Sequence, residues 1–417
     1  MTDPRMILTA NLPPRWGAGP VRHDCRVVNG GTPTADEDNW GGDIPFITPP
    51  DIRAHLGRLV DSTLRTLTEQ GARSGSVVAK HGVIVSNRAP IGYVARLSGP
   101  SAFNQGCKVL LPRRLDERFL TFVMLSAAPS LEVLGQGTTF MEISSASLGS
   151  VSIQVPPLDE QRAIADYLDR ETAKIDTLIE KQTTMIERLR ERRAAVSSRA
   201  VTYGLNEGRG DSRDHDPVGF VPEGWTAQPL KRALRSRDGA RIPLSAEERG
   251  GFSGPYPYYG ASGVIDHVAD YLFDEELVLV SEDGANLLMR STPIAFTASG
   301  KYWVNNHAHV LEPRFGPARF WAARIEALDV STVVTGSAQP KLTQEALNNL
   351  RISWPESADE QREIADYLDR ETAKIDTLIA KVERHIELAK ERRAVLITAA
   401  VTGQIDVTTS TQSGDAA

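Results

Sequence analysis

Cysteine is scarce in this 417-residue chain, which contains only Cys25 and Cys107. Two cysteines cannot build a disulfide framework or a cysteine-rich zinc site, so we expect neither to stabilise this chain. Long hydrophobic runs are also missing, because no stretch approaches 18 apolar residues. The first residues do not form the basic and then apolar pattern of a signal segment. We therefore expect a cytoplasmic protein that does not insert into a membrane.

The motifs of catalysis and cofactor binding are missing as well. The nearest approach to a P-loop, around Gly300 and Lys301, has Ala295 where the first glycine belongs. No glycine-rich cofactor loop follows a strand pattern, and His307 and His309 lack further metal ligands at a suitable spacing. The sequence therefore predicts no catalytic residue, no metal site and no cofactor bound by this chain.

An excess of basic residues is lacking too, since 47 Lys and Arg stand against 54 Asp and Glu. Residues 1–155 carry 15 basic and 13 acidic groups, whereas residues 206–355 carry 15 and 19. Neither region is strongly basic. Binding to DNA would therefore require basic groups that cluster on one face, or a partner that neutralises part of the phosphate charge.

What the chain does contain is a long internal repeat. Residues 159–179 (DEQRAIADYLDRETAKIDTLI) return as residues 359–379 with a single difference, at position 163. The regions between the repeats share shorter echoes, such as LPPRW at 12–16 and VPEGW at 221–225. A repeat of this length indicates that the protein is built from two copies of one unit.

Each repeat begins a predicted long helix, over residues 156–204 and 356–406. Positions every seven residues from Leu168 and Leu368 are apolar in nine of ten cases, which is typical of a coiled-coil seam. Both helices are acidic in their first half and basic in their second, so they attract each other when antiparallel. The residues predicted at the helix or partner interface are Ile164, Tyr167, Leu168, Ile175, Leu178, Leu189, Ile364, Tyr367, Leu368, Ile375, Leu378 and Val382.

The rest of the chain forms two regions, and turn signals and short β-favouring runs within them indicate mixed structure. We predict an α+β protein with two mixed α/β domains, at 1–155 and within 205–355, the second preceded by a polar linker. Two long antiparallel helices would join them with pseudo-two-fold symmetry. Residues 407–417 are predicted to be a disordered tail. The corner before the second helix has one extra residue and should differ slightly from the first.

Candidate DNA-contacting side chains are polar or basic residues on loops between strands. These candidates are Arg73, Lys80, Arg88, Lys108, Arg290, Lys301, Asn305, Asn306 and His307. A purely structural role is an open alternative for each of them. It is favoured for Asn305, because Asn104 has the equivalent place in the first domain.

The order of domain, helix, domain and helix resembles the specificity subunits of type I restriction-modification enzymes. The residues that carry this resemblance are Pro156-Pro-Leu-Asp-Glu-Gln161, Asp359-Glu-Gln361, Gly30-Gly-Thr-Pro33, Tyr259-Gly-Ala-Ser-Gly263 and Val304-Asn-Asn-His-Ala-His309. The resemblance implies a non-catalytic subunit in defence against foreign DNA, with two target recognition domains that each read half of a bipartite DNA sequence. The helices would set the spacing and dock two methyltransferase subunits and, through them, restriction and translocase subunits. S-adenosylmethionine, ATP and Mg would bind to those partners.

Two interpretations of the near-identical repeat remain open. Two identical partner subunits would require two near-identical docking surfaces, whereas recent duplication alone would leave similar divergence everywhere. The competing functional class is a coiled-coil scaffold whose domains bind proteins rather than DNA. Such a scaffold would associate with little dependence on salt, whereas DNA binding depends strongly on it.

Overall fold

The computed structural model describes residues 13–88, 90–135, 141–205, 210–212, 220–336 and 339–407. Contacts divide the chain into two units that exchange helical segments. Unit 1 comprises Met1–Gln182 and Arg384–Ala417, and unit 2 comprises Thr183–Glu383. Each unit therefore contains one mixed domain, the start of the long helix that follows it, and the end of the other long helix.

Unit 1 contains a five-stranded sheet in the order β2-β10-β7-β8-β4, a four-stranded sheet in the order β5-β3-β9-β6, and the antiparallel ribbon β1-β11. The central strand β10 pairs antiparallel with β2, where Lys108 faces Asn29, and with β7. The strands are β1 (Gly17–Pro20), β2 (Cys25–Asn29), β3 (Trp40–Ile47), β4 (Leu59–Val60), β5 (Thr66–Leu67), β6 (Val77–Ala79), β7 (Val83–Ser86), β8 (Val94–Leu97), β9 (Ser101–Phe103), β10 (Cys107–Pro112) and β11 (Ser152–Val155).

The main helix of this domain, α4, packs on the larger sheet. The helices are α1 (Val21–Asp24), α2 (Pro49–Ala54), α3 (Glu69–Arg73), α4 (Glu117–Val133), α5 (Ser145–Ser150) and the long α6 (Leu158–Tyr203). Asp116 caps α4 by accepting hydrogen bonds from the backbone N–H groups of Arg118 and Phe119. This capping carboxylate fixes the start of α4.

Unit 2 repeats the central part of this topology. Strands β15-β21-β18-β19 form one sheet, β17-β16-β20 another, β14-β22 match the ribbon of unit 1, and β12 pairs with β13. The strands are β12 (Gly210–Ser212), β13 (Phe220–Pro222), β14 (Trp225–Pro229), β15 (Leu234–Ser236), β16 (Ser253–Gly260), β17 (Gly263–Val268), β18 (Leu277–Ser281), β19 (Ala295–Ala298), β20 (Trp303–Val304), β21 (Ala308–Pro313) and β22 (Arg351–Pro355). The helices are α7 (Ala246–Gly251), α8 (Asn286–Met289), α9 (Ala318–Glu326), α10 (Gln344–Asn349) and the long α11 (Ala358–Val401).

The two long helices run antiparallel within each unit, as predicted. In unit 1, Ile164 near the start of α6 joins the same buried cluster as Ala400 at the end of α11. About three turns further along α6, Asp176 lies 2.9 Å from Arg393, which precedes Ala400 in α11. Unit 2 shows the same arrangement, because Ile364 shares a cluster with Ala200 and Asp376 lies 2.8 Å from Arg193.

The helix starts are part of the domain cores. In unit 1 the side chains of Ile164, Ala165 and Leu168 are at most 2% exposed and pack with Phe119 and other apolar residues of the domain. In unit 2, Ile364, Ala365 and Leu368 are at most 6% exposed and pack with Phe320 and other apolar residues. Burial of this apolar surface is the main term that holds each domain on its helix.

The observed helix ends differ from the predicted ones. Helix α6 spans Leu158–Tyr203, close to the prediction, but α11 ends at Val401 rather than at 406. Gly403, with φ +70°, turns the chain there, and a Cβ atom would lie 2.4 Å from Pro13. Val407 is buried in the core of unit 1, which corrects the prediction that the disordered tail begins there. The predicted tail from 408 onward and most of the predicted linker lie outside the described residues.

Candidate functional site: helix seats and strand-end surfaces

Each domain sits on its helix through matching polar contacts, which we call the helix seats. In unit 1 the indole Nε1 of Trp16 donates to Glu160 at 2.7 Å, and in unit 2 Trp225 donates to Glu360 at 2.9 Å. The sequence placed both glutamates in the repeat but assigned neither of them a partner. The pairing was missed, although the echo that ends in Trp16 and Trp225 was a signal for it.

A buried glutamine forms the next part of each seat. Gln161 Nε2 donates to the carbonyl oxygen of Pro156 at 2.8 Å, and Gln361 Nε2 donates to that of Pro355, also at 2.8 Å. The glutamine bonds a carbonyl oxygen five residues before it in unit 1 and six residues before it in unit 2. The corner before the second helix thus differs slightly, as expected, and still keeps the hydrogen bond from glutamine to proline. Only Gln161 has its side-chain oxygen satisfied, by the N–H of Asp116 at 2.8 Å.

The equivalent oxygen in unit 2 has no donor. Pro317 stands at the start of α9, where Asp116 stands at the start of α4, and proline has no backbone N–H. Gln361 is fully buried, and its Oε1 has no hydrogen-bond partner among the described residues. The two seats thus differ by one backbone donor.

An arginine completes each seat. Arg118, the second residue of α4, donates to Asp166 at 2.6 Å and to Asp169 at 3.2 Å. Arg319, the second residue of α9, pairs in the same way with Asp366, at 2.5 Å, and with Asp369. The two aspartates flank the repeated Tyr-Leu dipeptide, so they are one helical turn apart and face the domain.

The predicted interface residues fall into a buried set and a more exposed set. Ile164, Leu168, Leu189, Ile364, Leu368 and Ile375 are buried. Tyr167, Ile175, Tyr367 and Val382 are partly buried, and the two tyrosines pack against the domain cores. Leu178 and Leu378 are 48% and 44% exposed. Most of the predicted set therefore has partners inside the chain, and the two leucines are available to another molecule.

The predicted DNA contacts are scattered over several elements. Arg73 on α3 pairs with Glu69 at 3.2 Å, and Lys80 after β6 is exposed. Lys301 lies 4.5 Å from the centre of the Tyr271 ring. Arg290 is partly buried and donates to the backbone carbonyl oxygen of Glu326.

Two of the predicted contacts are buried and therefore poorly placed to reach DNA. Lys108 is 5% exposed, and its ammonium donates to Asn29 at 2.8 Å. Burial, the largest influence, lowers its pKa. Asn305 is also 5% exposed and accepts a hydrogen bond from the backbone N–H of His307, as its alternative role in a turn required. Lys108 lies in the central strand β10 and Asn305 directly follows β20, and the sequence did not reveal that either side chain is buried.

The remaining candidates gather at matching places, which we call the strand-end surfaces. In unit 1 this surface follows β7, where Arg88 pairs with Glu142 at 2.9 Å and both are about 40% exposed. In unit 2 it follows β18, where Asp283 pairs with His307 at 2.8 Å beside the exposed Asn306. Backbone bridges join Arg88 to Glu142 and Asp283 to Lys341 in the same manner. The equivalent positions thus carry opposite charges in the two units.

Under the strand-end surface of unit 2 lies a cluster with metal-ligand chemistry, formed by Asp238, Glu282 and His309. Its carboxylates are already bound by cations, since Arg241 lies 2.7 Å and Lys341 3.2 Å from Glu282. The ring nitrogens of His309 lie 2.7 Å from the carboxylate of Asp238 and 2.8 Å from the backbone carbonyl oxygen of Leu342, so both already have a partner inside the domain. This cluster is a neutralised ion network rather than a vacant metal site.

Comparison with known proteins identifies the family. A family model described as the type I restriction modification DNA specificity domain matches residues 25–188 and again residues 222–388. The chain belongs to this family. Each copy of the specificity domain takes in one mixed domain and most of the long helix that follows it, so the repeat noted in the sequence is a repeat of the family's domain.

Relatives agree with this assignment. The chain is 31% identical over 187 residues to the specificity subunit of the type I restriction enzyme MjaIX from Methanocaldococcus jannaschii, a match that covers 43% of this chain and 42% of that subunit. It is 27% identical over 373 residues to the EcoprrI specificity subunit from Escherichia coli, covering 86% and 87%. The chain thus matches less than half of the first relative and most of the second.

The fold is shared with a chain from a structure of a type I restriction-modification system. That comparison has a TM-score of 0.67 at 17% identity and covers 95% of this chain and all of that one. The family model and the relatives do not favour the interpretation of the chain as a scaffold without DNA recognition. Among the described helices, none has the length and apolarity needed to cross a membrane.

Proposed function

We propose that this specificity protein reads a bipartite DNA target, one half with each unit, and carries no catalytic group of its own. The observation that supports this most is a contrast between the two copies. The helix seats keep the same tryptophan, glutamate, glutamine, arginine and aspartates, whereas the strand-end surfaces carry different charges. Different half-sites require different reading surfaces on a common frame.

The strand-end surfaces are the proposed base-reading elements. In unit 1, Arg88 offers a fork of donors of the kind that binds guanine in the major groove. In unit 2, Asp283, Asn306 and His307 offer an acceptor and adaptable donors. Arg88, Asn306 and His307 belong to the predicted set, whereas Asp283 is added by the structure. Two other members of that set, Lys108 and Asn305, are buried inside the domains.

Domain exchange tests the modular part of the proposal. Replacing residues 206–355 by those of a related specificity protein, with the modification subunit supplied, should change one half of the methylated sequence and leave the other half intact. Sequencing that detects methylated bases would report both halves. A change in both halves would contradict the proposal.

Point variants test the surface itself. Replacing Arg88 by alanine should weaken binding to the native target by about 1–3 kcal/mol and relax discrimination in one half-site only. Arg114→Ala is the matched control, because Arg114 is an exposed, ion-paired arginine of the same unit that lies outside both the strand-end surface and the predicted set. Equal effects of the two variants would point to general electrostatic attraction instead.

We further propose that two modification subunits dock on the repeated helix faces that the domains leave uncovered. Leu178 in unit 1 and Leu378 in unit 2 lie at equivalent places in the repeat and are nearly half exposed. S-adenosylmethionine, ATP and Mg would then bind to partner subunits in the cytoplasm, and the purified chain would transfer no methyl group.

The stoichiometry of the complex tests this docking. Leu178→Asp or Leu378→Asp alone should leave one modification subunit bound, and the double variant should leave none. Light scattering of the purified complex measures this number directly. Val395→Asp is the control, because Val395 is a 68% exposed apolar residue on the same helix as Leu378 but outside the repeat. Two bound subunits in the double variant would refute the assignment.

A further inference from the structure

The arginine of each helix seat has a geometry that apolar packing cannot supply. Arg118 Nη1 lies 2.6 Å from Asp166 and 3.2 Å from Asp169, so one guanidinium spans two carboxylates on consecutive turns of α6. Arg319 uses both terminal nitrogens for the same purpose, with Nη2 on Asp366 and Nη1 on Asp369 of α11. The arrangement recurs although α4 has 17 residues and α9 only nine.

Both arginines are partly shielded from water, with side chains that are 33% and 38% exposed. Each is followed by a fully buried phenylalanine, Phe119 or Phe320, which packs in the core beside the helix start. The backbone from which each guanidinium extends is therefore held in place. The short Arg-Phe dipeptide is the part of the domain helix that the two units share where it meets the long helix.

Apolar packing and the arginine that spans two carboxylates, which we call the fork, contribute differently to the contact between a domain and its helix. Burial of apolar surface resists separation, but it is non-directional and allows one element to rotate or slide on another. A planar guanidinium that donates to two fixed carboxylates adds geometric specificity, because rotation of the domain breaks the hydrogen bonds. The fork therefore acts on the orientation of the domain more than on its attachment.

We propose that Arg118 and Arg319 are positioning residues that fix the orientation of each recognition domain on its helix, and thereby the spacer length that the protein accepts. This inference rests on the proposed reading of a bipartite target. One base pair of spacer moves a half-site by about 3.4 Å along the DNA axis and about 34° around it. A domain free to rotate on its helix would tolerate such a shift better than a domain held by its fork.

The inference also assigns a role to part of the repeat. Asp166, Asp169 and their counterparts belong to the near-identical segment, and their side chains are used inside the chain. Their retention in both copies follows from the need to seat two domains in the same way. A partner subunit is not required to explain these four positions.

The test measures spacer preference. The full chain, in complex with its modification subunit, is titrated against duplexes that carry the methylated motif found in the source genome, with the native spacer or with one base pair more or fewer. For Arg118→Ala and Arg319→Ala we expect the preference for the native spacer to fall by about threefold to tenfold, or ~0.7–1.4 kcal/mol. Sequence discrimination within each half-site should not change.

Further variants separate orientation from charge and from folding. Arg118→Lys keeps the charge but lacks the fork, so spacer preference should remain weakened; full rescue by lysine would show that charge alone matters. Asp169→Asn is nearly isosteric and should also weaken the spacer preference. It therefore serves as the test if the alanine variants fold poorly. Arg114→Ala and Arg237→Ala are the controls, because these arginines pair with acidic residues inside their own domains.

The outcomes are distinguishable from failure of the proposed function. Variants that fold, bind the native duplex and keep the wild-type spacer preference would overturn the positioning role while leaving bipartite recognition intact. Absence of any bipartite binding by the wild-type complex would instead refute the proposed function. Loss of discrimination within a half-site would show that the arginines act on the reading surface itself.

Discussion

The unsatisfied glutamine in the seat of unit 2 predicts that one substitution will stabilise the protein. Pro317→Ala restores a backbone N–H at the place where Asp116 donates to Gln161 in unit 1. Satisfying the buried Gln361 oxygen should gain about 1–3 kcal/mol. The flexibility that the unfolded chain regains when proline is removed costs about 0.4–1 kcal/mol. The midpoints of these two ranges give an expected net gain of about 1.3 kcal/mol.

Replacing the same proline by aspartate should gain more. Asp116 also caps α4 through its carboxylate, and Pro317 gives α9 no side-chain cap. Such a cap contributes about 1 kcal/mol, so Pro317→Asp should exceed Pro317→Ala by about that amount. The reciprocal variant Asp116→Pro removes both the donor and the cap from unit 1, and it should destabilise that unit.

Thermal unfolding followed by tryptophan fluorescence suits this prediction. Four of the six tryptophans lie in unit 2, among them the buried Trp321 and Trp354. Each kcal/mol should raise the Tm of a unit of this size by about 2–4 °C. The decisive control is Pro317→Ala in a Gln361→Leu background, where the gain should vanish. An unchanged or lowered Tm for Pro317→Ala, or a gain that persists without Gln361, would refute the reasoning.

Three further predictions concern the ion pair of Arg393 and Asp176, the glycine beside Gln361, and the carboxylate of Asp238. Reversing one charge of the Arg393–Asp176 pair should destabilise unit 1. Reversing both should recover about 0.5–1 kcal/mol of the free energy of unfolding in a double-mutant cycle. No recovery would show that the pair does not stabilise the unit. Gly316→Ala should lower the Tm strongly, because its Cβ would lie 1.8 Å from Gln361 Oε1 at φ +71°, whereas Gly239→Ala meets no atom within 4 Å and should be neutral in the same melting assay. Burial tends to raise the pKa of Asp238, but its bonds from His309 and Val310 and the nearby Arg241 lower it below 3.8. Its stabilising contribution is therefore present above pH 3.8 and lost as pH falls through the lower folded pKa. Acid melting curves should fall more steeply for the wild type than for Asp238→Asn, and parallel curves would contradict this.

Part of the repeat has an explanation within the chain. The sequence left open whether the near-identity of 159–179 and 359–379 serves two identical partners or reflects recent duplication. The structure engages Glu160, Gln161, Asp166, Asp169 and their counterparts in contacts inside the chain, whereas Leu178 and Leu378 stay exposed. A solvent-facing pattern on a helix cannot distinguish a partner from a domain of the same chain, because both leave the same charges and spacing.

The sequence by itself determined the elements and their direction. The seven-residue period predicted the long helices, and their acidic starts and basic ends predicted the antiparallel pairing that joins Asp176 to Arg393 and Asp376 to Arg193. These properties are local or periodic, so they can be read along one chain. Two copies of one domain followed from the repeat in the same way.

Only the tertiary structure decided which polar groups are available. Lys108 and Asn305 look like DNA contacts in the sequence, but they are buried because other strands and turns cover them. Arg88 remains exposed because it lies just beyond the end of β7. Burial and the choice of partner depend on residues far away in the chain: Trp16 meets Glu160 across 144 positions. The helix seats could therefore be recognised only once the domains were folded onto the helices.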